Sequence, residues 1–401
     1  MRHAQPSQAS SGIRRPHPAP RRSAVDGTEG RLNRSAFPVI AQKPQCCQKK
    51  GMPKSHPSRL ILPTFLALLA ACPVGVCAAP SPTPEKALTR IAFGSCIDRE
   101  THPMLDRVLT LPFDQFILLG DNIYADTTNA SVMAEKYRIR KENKFFRGLR
   151  QKAPVLATWD DHDFGGNDAG ADYPMKVESQ KLFLEFMDEP ANSPRRKREG
   201  VYDAYLVGPP GRRVQVILLD TRYFRSKLAS GNNGVEPSGG KYIPHPDPNV
   251  TMLGETQWKW LEEQLRVPAD LRIVASSIQF ISEFSGGEAW ANLPREKQRM
   301  LDLLKKTRAN GVLFISGDRH WAELSRLDRP DDYPLYDLTS SALTETHARG
   351  TPTPNKYREG PTYHDTNVGL INIDWSAPQP VVLLQLFDVN GKVRIEKRIV
   401  F

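Results

Sequence analysis

Residues 159–168 read Trp-Asp-Asp-His-Asp-Phe-Gly-Gly-Asn-Asp, directly after the apolar run Pro154–Thr158. The apolar run is typical of a buried strand, so several acidic side chains and a histidine emerge together at its end. Carboxylates this close repel one another by several kcal/mol where the effective dielectric is low, so a positive charge must lie among them. Asp and Asn also favour turns after strands, but the density of ligand-type side chains favours a metal or phosphate site.

Three further predicted strands end in residues of the same kind. They are Thr89–Phe93 before Gly94-Ser95-Cys96, Phe113–Leu119 before Gly120-Asp121-Asn122-Ile123-Tyr124, and Gly311–Ser316 before Gly317-Asp318-Arg319-His320. In α/β proteins, ligands gather outside the carboxyl ends of the strands. The sequence therefore predicts one shared site that is built from several strand ends.

The rest of the chain alternates predicted strands with predicted helices. Helices are predicted at 102–110, 131–151, 176–188, 255–266 and 294–308, and further strands at 201–206, 213–219, 271–276 and 335–338. The earlier strands suit βαβ units, whereas Asn367–Asp374 and Val381–Asp388 are predicted to be antiparallel, with a hairpin turn at 388–392. We expect an α/β fold with one domain over 89–401 and helices outside two packed sheets. Residues 226–254 lack periodicity and are expected to form a long loop over the site.

The formal charge of +10 comes from the N-terminal segment. Residues 1–59 hold twelve Lys and Arg residues against two acidic residues, so residues 60–401 are formally neutral. A neutral body gives no electrostatic basis for binding DNA or RNA. We therefore expect no nucleic-acid partner.

The N-terminal segment is expected to be targeting sequence or to lie outside the mature protein. Residues 1–51 are rich in Pro, Ser, Gln and Arg and are predicted to be disordered, with translation beginning at Met52. Leu60–Ala71 is too short to span a bilayer but has the length of a signal-peptide core, and a basic segment precedes it. A buried core helix is the alternative. We expect residues 52–79 to be a signal peptide and residues 80–88 to be a linker.

Two cleavage sites suit this signal peptide. Leu69-Ala70-Ala71-Cys72 resembles a bacterial lipobox, which would leave Cys72 lipidated and the protein anchored to a membrane. The small residues at 76–79 would instead suit a conventional signal peptidase. Either route exports the protein, so we expect a periplasmic or secreted location, lipid-anchored if the lipobox is used.

Cys96 is the one cysteine of the predicted folded body, because the other four precede residue 80. A lone cysteine forms no intrachain disulfide, and an exposed free thiol is a liability in an oxidising compartment. The simple alternative is a small buried hydrophobic residue. Its place directly after a strand and Gly94-Ser95 favours a metal-bound thiolate.

The candidate ligands form a mixed set of hard and soft atoms. The cysteine count excludes a structural zinc site with four cysteines or with two cysteines and two histidines. Carboxylate and amide oxygens suit calcium, magnesium or manganese, whereas thiolate and phenolate favour a more Lewis-acidic ion such as ferric iron. Two metals that share a bridging Asp would clamp a phosphoryl group, with a metal-bound hydroxide as the nucleophile. His162 would then protonate the leaving alkoxide or stabilise the charged transition state.

The ordered motifs resemble those of the PhoD-like alkaline phosphatases. The motifs are Phe93-Gly94-Ser95-Cys96, Gly120-Asp121-Asn122-Ile123-Tyr124, Trp159-Asp160-Asp161-His162-Asp163, Gly317-Asp318-Arg319-His320 and Leu338-Thr339-Ser340-Ser341. This family belongs to the metallophosphoesterases, and the resemblance covers residues 89–390. It implies a four-layer αββα sandwich of two mixed sheets and the hydrolysis of phosphate esters.

The resemblance also implies which side chains bind metal. The implied ligands are Cys96, Asp121, Tyr124, Asp161, Asn167, Asp318 and His320. Cys96 and Tyr124 would bind ferric iron, and Asp121 would bridge to a second ion, which is calcium in the family. Mn²⁺ and Zn²⁺ are alternative ions, so the resemblance implies two or more metal ions as cofactors.

The candidate catalytic residues are His162, Asn122 and Arg319. His162 takes the place of the family's catalytic histidine. Asn122 would donate its amide to a phosphate oxygen, with a plain turn residue as the alternative. Asp160 and Asp163 would orient the metal ligands, a supporting role that such ligands usually need.

Two features depart from the family pattern. Many members carry an N-terminal β-sandwich domain, whereas the sequence predicts a short linker before the first strand. The residues after Tyr124 are Ala125 and Asp126, so no basic residue follows there to hold phosphate. Arg222 and Arg319 are the candidate substitutes. The preference between phosphomonoesters and phosphodiesters therefore stays open.

The leading hypothesis is an exported, monomeric, metal-dependent enzyme that hydrolyses phosphomonoesters, phosphodiesters or both. One alternative is a phospholipase- or nuclease-like phosphodiesterase, although the neutral body does not favour a polynucleotide. An alternative from another class is a non-catalytic, metal-stabilised lipoprotein that binds partners at the cell surface. His162 and His320 argue against that alternative, because neither is needed merely to hold calcium.

Overall fold

Short apolar runs rich in Val, Ile, Leu and Phe form the strands, as their propensity predicts. The computed structural model describes residues 86–231, 241–283, 286–330, 332–347 and 354–401, which belong to the unit Cys77–Phe401. The predictions for the N-terminal 85 residues (disordered start, signal peptide, Cys72 lipobox, most of the linker) lie outside the described residues. Among the described residues, no helix is long and apolar enough to span a membrane.

Six strands form the first sheet. They are β1 (Arg90–Gly94), β2 (Gln115–Leu119), β3 (Val155–Thr158), β10 (Asn367–Asp374), β11 (Val381–Asp388) and β12 (Val393–Val400). Their order across the sheet is β12-β11-β10-β1-β2-β3. β1, β2 and β3 are parallel, whereas β10, β11 and β12 pair antiparallel. Because Phe93 lies opposite Ile117, the carboxyl ends of β1 and β2 are side by side.

Six other strands form the second sheet. They are β4 (Asp203–Val207), β5 (Val214–Leu218), β6 (Leu271–Ala275), β7 (Val312–Ser316), β8 (Ala322–Arg329) and β9 (Asp332–Ser340). Their order is β4-β5-β6-β7-β9-β8. The inner four strands are parallel, and the edge strands β4 and β8 are antiparallel to their neighbours. Both sheets are therefore mixed, as the sequence predicts.

Helices connect and cover the strands. They are α1 (Pro103–Thr110), α2 (Ala130–Glu142), α3 (Lys144–Lys152), α4 (Asp161–Phe164), α5 (Lys176–Phe186), α6 (Gly254–Leu265) and α7 (Pro294–Thr307), with short 3₁₀ turns at Pro194–Arg196 and Trp290–Asn292. The helix predicted at 131–151 is two helices. Asn143 interrupts it with extended backbone, and its side chain accepts a hydrogen bond from the Phe145 N–H at 2.7 Å, which begins α3.

Three apolar cores separate four layers. Ala92 of β1 packs with Met104 of α1 in a core under helices α1, α2, α3 and α5. Its neighbour Ile91 points the other way and packs with Ile273 of β6, in the core between the two sheets. Val274 of β6 lies in a third core under α6 and α7. This alternation, which follows from the strand period of two, confirms the predicted αββα sandwich.

The hairpin turn predicted at 388–392 is confirmed. Asp388 Oδ1 accepts hydrogen bonds from the N–H groups of Asn390 and Lys392 at 2.9 and 2.8 Å. Gly391 supplies the positive φ of 78° that the turn requires. Strand β8 was not predicted, and β9 begins three residues earlier than the predicted strand.

Candidate metal centre and active site

The carboxyl ends of the parallel strands of both sheets meet at one edge of the sandwich. Thr158 Oγ1 donates to Leu219 O at 2.7 Å, which joins the ends of β3 and β5. The Leu343 N–H donates to Ser95 O at 3.0 Å, which joins the segments after β9 and β1. Gly120, with φ +106°, permits the loop after β2 to approach the loop after β3, since a Cβ there would lie 2.4 Å from the Cβ of Asp160. Several strand ends therefore lie together at this edge, as the sequence predicts.

Four of the predicted ligands hold left-handed backbone. The φ angles are 62° at Cys96, 49° at Asp121, 70° at Asp318 and 57° at His320. This conformation costs roughly 1–2 kcal/mol for a residue with a side chain and persists where the surrounding structure imposes it, often at functional sites. The residues with strained backbone in these loops are therefore residues that the sequence predicts to bind metal.

Cys96, Asp121 and His320 form one group of ligand atoms, all within 4.8 Å of one another. Cys96 Sγ lies 3.4 Å from Asp121 Oδ2. The Tyr124 hydroxyl lies 3.2 Å from His320 Nε2, and the Ser341 hydroxyl lies 3.2 Å from the thiol. A sulfur, a carboxylate, an imidazole and a phenol thus surround one ion-sized place, which we call the thiolate site.

Asp161 belongs to a second set of ligands, which we call the carboxylate site. With Asp121 and His162 it forms one group, and with Asp160 and Asp318 it forms another, each with ligand atoms within 4.8 Å. Asp121 therefore belongs to both sites. Asp121 would therefore help to hold an ion at either site.

These acidic groups carry more negative charge than the surrounding protein compensates. Burial, and then the charge of Asp121, raises the pKa of the Cys96 thiol well above its usual value. Burial, and then the charge of Asp161, likewise raises the pKa of Asp121. Asp121 Oδ1 and His320 Nδ1 are buried without a hydrogen-bond partner in the part of the chain that the structure describes. The donor set therefore fits metal cations, which would supply the positive charge and bind these atoms.

Asp163 holds the loop that carries Asp121. Its carboxylate accepts hydrogen bonds from the backbone N–H groups of Asn122 and Ile123, at 3.1 and 3.0 Å. It also accepts one from Asn122 Nδ2 at 3.0 Å, and that nitrogen donates again to Thr158 O at 3.2 Å. This is the geometry expected of a supporting residue. Both amide hydrogens of Asn122 are used within the protein, and its buried carbonyl oxygen has no hydrogen-bond partner among the described residues.

His162 is oriented by an acidic residue that the sequence analysis did not select. Its Nδ1 lies 2.7 Å from Asp126 Oδ1, and its ring packs against Tyr124 with centroids 4.3 Å apart. Burial lowers the pKa of His162, but the hydrogen bond to Asp126 and the charge of Asp161 outweigh burial and raise it to about 9. Since Nδ1 is committed to Asp126, Nε2 is the nitrogen that a substrate can reach.

The loop after α4 brings Asp168 to the carboxylate site. The Asp168 N–H donates to Asp161 Oδ2 at 2.7 Å, and the Asp168 carboxylate lies in a group of ligand atoms with Asp161 and Glu288. Asn167, which was the predicted ligand, is exposed and lines a cleft beside His162. The role of Asn167 as a ligand stays a prediction, and the structure places its neighbour Asp168 among the candidate ligand atoms.

The two candidate arginines occupy different positions. The Arg222 side chain is fully buried, with Nη2 2.5 Å from Asp160 Oδ1 and Nη1 2.5 Å from Glu288 Oε2. Carboxylates enclose the Arg222 guanidinium, so Arg222 does not supply the phosphate contact considered for it. It is instead the charge partner of Asp160. Arg319 Nη1 lies 3.7 Å from Asp318 Oδ2, at the side of the carboxylate site.

An open cleft of about 760 Å³ adjoins His162. It is lined by Asp126, Thr127, Thr128, His162, Gly165, Gly166, Asn167 and Tyr173. A second cleft of about 440 Å³ shares Asn167 and Tyr173 with it and includes Lys227 and Lys241. The first cleft would accept the organic part of a substrate whose reacting group lies among the ligands.

Comparison with known sequences shows which proteins this chain resembles. The model of the family described as PhoD-like phosphatase matches residues 95–372. Alkaline phosphatase D of Bacillus subtilis (strain 168) is 23% identical over 274 residues, which cover 59% of this chain and 43% of that protein. The chain therefore aligns with less than half of the length of this relative.

Solved structures share the fold. A structure of PhoD has a TM-score of 0.56 at 18% identity, over 80% of this chain and 73% of that chain. The purple acid phosphatase PPD1 from yellow lupin seeds has a TM-score of 0.53 at 13% identity, over 80% of this chain and 55% of that chain. Both similarities confirm the metallophosphoesterase-like architecture. Because the family model also matches more than half of the sequence, from the loop after β1 into β10, the chain belongs to the PhoD-like phosphatase family.

Proposed function

We propose that the protein is a metal-dependent phosphoester hydrolase of the alkaline phosphatase D type. The observation that carries this proposal is the position of Asp121 in both ligand groups, one with Cys96 and His320 and the other with Asp161 and His162. Asp121 would help to hold two cations, which would supply the positive charge that the displacement of an oxygen at phosphorus needs. Membership of the PhoD-like family supports the same class of reaction.

The chemistry of the ligands supports different ions at the two sites. At the thiolate site, Cys96 and Tyr124 favour ferric iron, since these ligands stabilise a strongly Lewis-acidic ion. At the carboxylate site, Asp161 and Asp318 favour calcium, with Mn²⁺ and Zn²⁺ as alternatives. When bound, such ions would activate water and neutralise charge on the phosphate.

The side chains around the ions would position the ester and move a proton. His162, held through Nδ1 by Asp126, would transfer a proton from Nε2 to the leaving alkoxide. Its raised pKa keeps the imidazole protonated at neutral pH. Arg319 lies close enough to the carboxylate site to hold a phosphate oxygen by its guanidinium N–H groups.

The cleft beside His162 supports small polar alcohols as leaving groups. Its lining residues offer hydroxyl, amide and carboxylate groups, and they include no Leu, Ile, Val or Met side chain. The acyl chains of a phospholipid would find no extended apolar partner there, which disfavours the phospholipase alternative. Because the cleft is open, we propose that phosphodiesters as well as phosphomonoesters are accepted.

We also propose, from the sequence, that the protein is exported through a signal peptide at 52–79 and acts as a monomer without a nucleic-acid partner. Intact-mass analysis of protein recovered from its native host tests the export proposal. A mature chain that begins close to residue 80, or a lipidated Cys72, is the expected result. A mature chain that begins at Met1 would refute it.

The enzymatic proposal is tested by metal analysis together with two substrates. We expect the purified full chain to bind metal and to hydrolyse 4-nitrophenyl phosphate, bis(4-nitrophenyl) phosphate or both at neutral to alkaline pH. Asp121→Asn should lose bound metal and hydrolysis together. Asp106→Asn, at an exposed carboxylate paired with Lys144 at 3.3 Å, is the matched control and should lose neither. Metal-replete protein that hydrolyses neither ester would favour the non-catalytic binding protein.

A further inference from the structure

A buried arginine lies inside one of the carboxylate groups. Asp160, Asp161 and Asp318 have the spacing of metal ligands. Arg222 Nη2 lies 2.5 Å from Asp160 Oδ1 and 3.9 Å from Asp161 Oδ1. The Arg222 side chain has no exposed surface, so its charge acts on these carboxylates in a medium of low dielectric. One positive charge is therefore already built into this part of the centre.

The arginine is held in place by a chain of buried charges. Arg222 Nη1 lies 2.5 Å from Glu288 Oε2, and Arg225 Nη2 lies 2.8 Å from Glu288 Oε1. Arg225 Nη2 also donates to Ala169 O at 2.9 Å, in the loop that carries Asp168. The sequence of charges Asp160, Arg222, Glu288 and Arg225 is formally neutral, and each side chain is at most 1% exposed.

Stability alone is a weak explanation for such a chain. Buried ion pairs are often no more stabilising than apolar residues of the same volume, because desolvation offsets the attraction. The chain does have a specific electrostatic consequence. The chain of charges holds a guanidinium beside Asp160 and Asp161 whether or not metal ions are bound, since Arg stays protonated in proteins.

We propose that Arg222 is a fixed cation of the metal centre, a positioning residue whose guanidinium takes the place of a further divalent ion among Asp160, Asp161 and Asp318. This inference rests on the proposed metal centre but not on turnover. Because the guanidinium cannot dissociate, it keeps these carboxylates oriented when the exchangeable ions are absent.

The test is to remove the charge and to count ions. Arg222→Met keeps much of the side-chain volume and leaves Asp160, Asp161 and Asp318 without this buried cation. We expect Arg222→Met to bind one more divalent ion per chain than the wild type in millimolar Ca²⁺ or Mn²⁺, measured by equilibrium dialysis and elemental analysis. In chelator its thermal unfolding midpoint should fall, and added Ca²⁺ should restore several degrees more than in the wild type. Arg222→Lys should keep the wild-type ion count.

Arg195→Met is the matched control. Arg195 is also a buried arginine, 2% exposed, and it pairs with Glu189 at 3.0 Å rather than with a metal-ligand group. Its replacement should lower the unfolding midpoint. Added Ca²⁺ should restore no more of that loss than it adds to the wild type.

An unchanged ion count in Arg222→Met, with no additional effect of Ca²⁺ on its unfolding midpoint, would overturn the proposal. If Arg222→Met does not fold, Arg222→Gln provides the second test. It removes the same charge but keeps a polar side chain, so it should bind one more divalent ion per chain than the wild type, and an unchanged ion count would overturn the proposal. Failure of the proposed function is distinguishable, because it would appear in wild-type protein as absent metal or absent hydrolysis.

Discussion

Nδ1 of His162 lies 2.7 Å from Oδ1 of Asp126, and this contact leaves Nε2 as the ring nitrogen that would transfer a proton. Asp126→Asn keeps the shape of the side chain but removes its charge. Asn also tolerates the left-handed backbone of this position, where φ is 44°. We expect kcat to fall about 10-fold or more, while elemental analysis shows unchanged metal content. A variant with wild-type kcat would show that the contact does not serve catalysis.

The same pair predicts a shift in the pH profile. The pKa of His162 is about 9, so its proton-donating form is present below that pH and is lost as the pH rises through it. Without the charge of Asp126 the pKa falls towards its usual value of about 6.5. The alkaline limb of kcat in Asp126→Asn should therefore move to lower pH. If the alkaline limb of kcat stays at the pH of the wild type, a group other than His162 causes it.

Removing the imidazole should separate catalysis from metal binding. We expect His162→Ala to keep its metal and to lose rate by ~10²-fold or more, the usual scale for a general acid. The loss should be smaller for 4-nitrophenyl phosphate than for an alkyl phosphate such as glycerol phosphate, because a poor leaving group needs the proton more. Equal losses with both esters would contradict the assigned role.

Gly166 offers a steric test of the cleft. A Cβ at this position would meet Ala169 Cβ at 4.0 Å as its nearest neighbour, so a larger side chain extends into the cleft without disturbing the fold. Gly166→Leu should raise KM several-fold for esters of bulky alcohols and much less for a methyl ester. Gly166→Ala is the graded control, with a smaller effect in the same direction. If KM changes equally for both alcohol sizes, the leaving group does not lie in this cleft.

Lys297 predicts how stability depends on pH. Burial lowers its pKa from 10.5 to about 8, and its ammonium donates to Ile281 O and Ser282 O at 2.7 and 3.0 Å. Between these two pH values the unfolded chain holds a proton that the folded chain has lost, so the free energy of unfolding should rise with pH. The slope from this group is at most ~1.4 kcal/mol per pH unit. Lys297→Met should flatten the curve measured by urea unfolding, and an unaltered slope would exclude this lysine as its source.

Much of the site follows from one rule, that ligands gather at the carboxyl ends of parallel strands. Asp121, His162 and Asp318 each follow a strand directly, so the rule finds them. Asp126 and Glu288 come from loops without a strand pattern, and their roles depend on tertiary contacts with His162 and Arg222. The sequence shows neither of these contacts.

The strands were predictable where a short apolar run marks them, as in β2, β5, β6 and β7, which are buried along their whole length. Strand β8 was missed because most of its residues are polar, including Glu323, which is fully buried and forms an ion pair. Its carboxylate lies 2.5 Å from Arg358 Nε, a residue of a later segment. A buried acid hides the apolar alternation by which strands are recognised. Asn143 similarly divides the helix predicted at 131–151, because its side chain caps the first turn of α3.

The most direct test of the central claim is a metal titration of stripped protein in which bound ions and the hydrolysis of 4-nitrophenyl phosphate and its bis-ester are measured together. The account predicts that chelator-stripped protein is inactive, and that hydrolysis returns as iron and then calcium bind at the sites that share Asp121. Full hydrolysis by stripped protein would contradict the account. Complete occupancy by the ions without hydrolysis of either ester would contradict it equally.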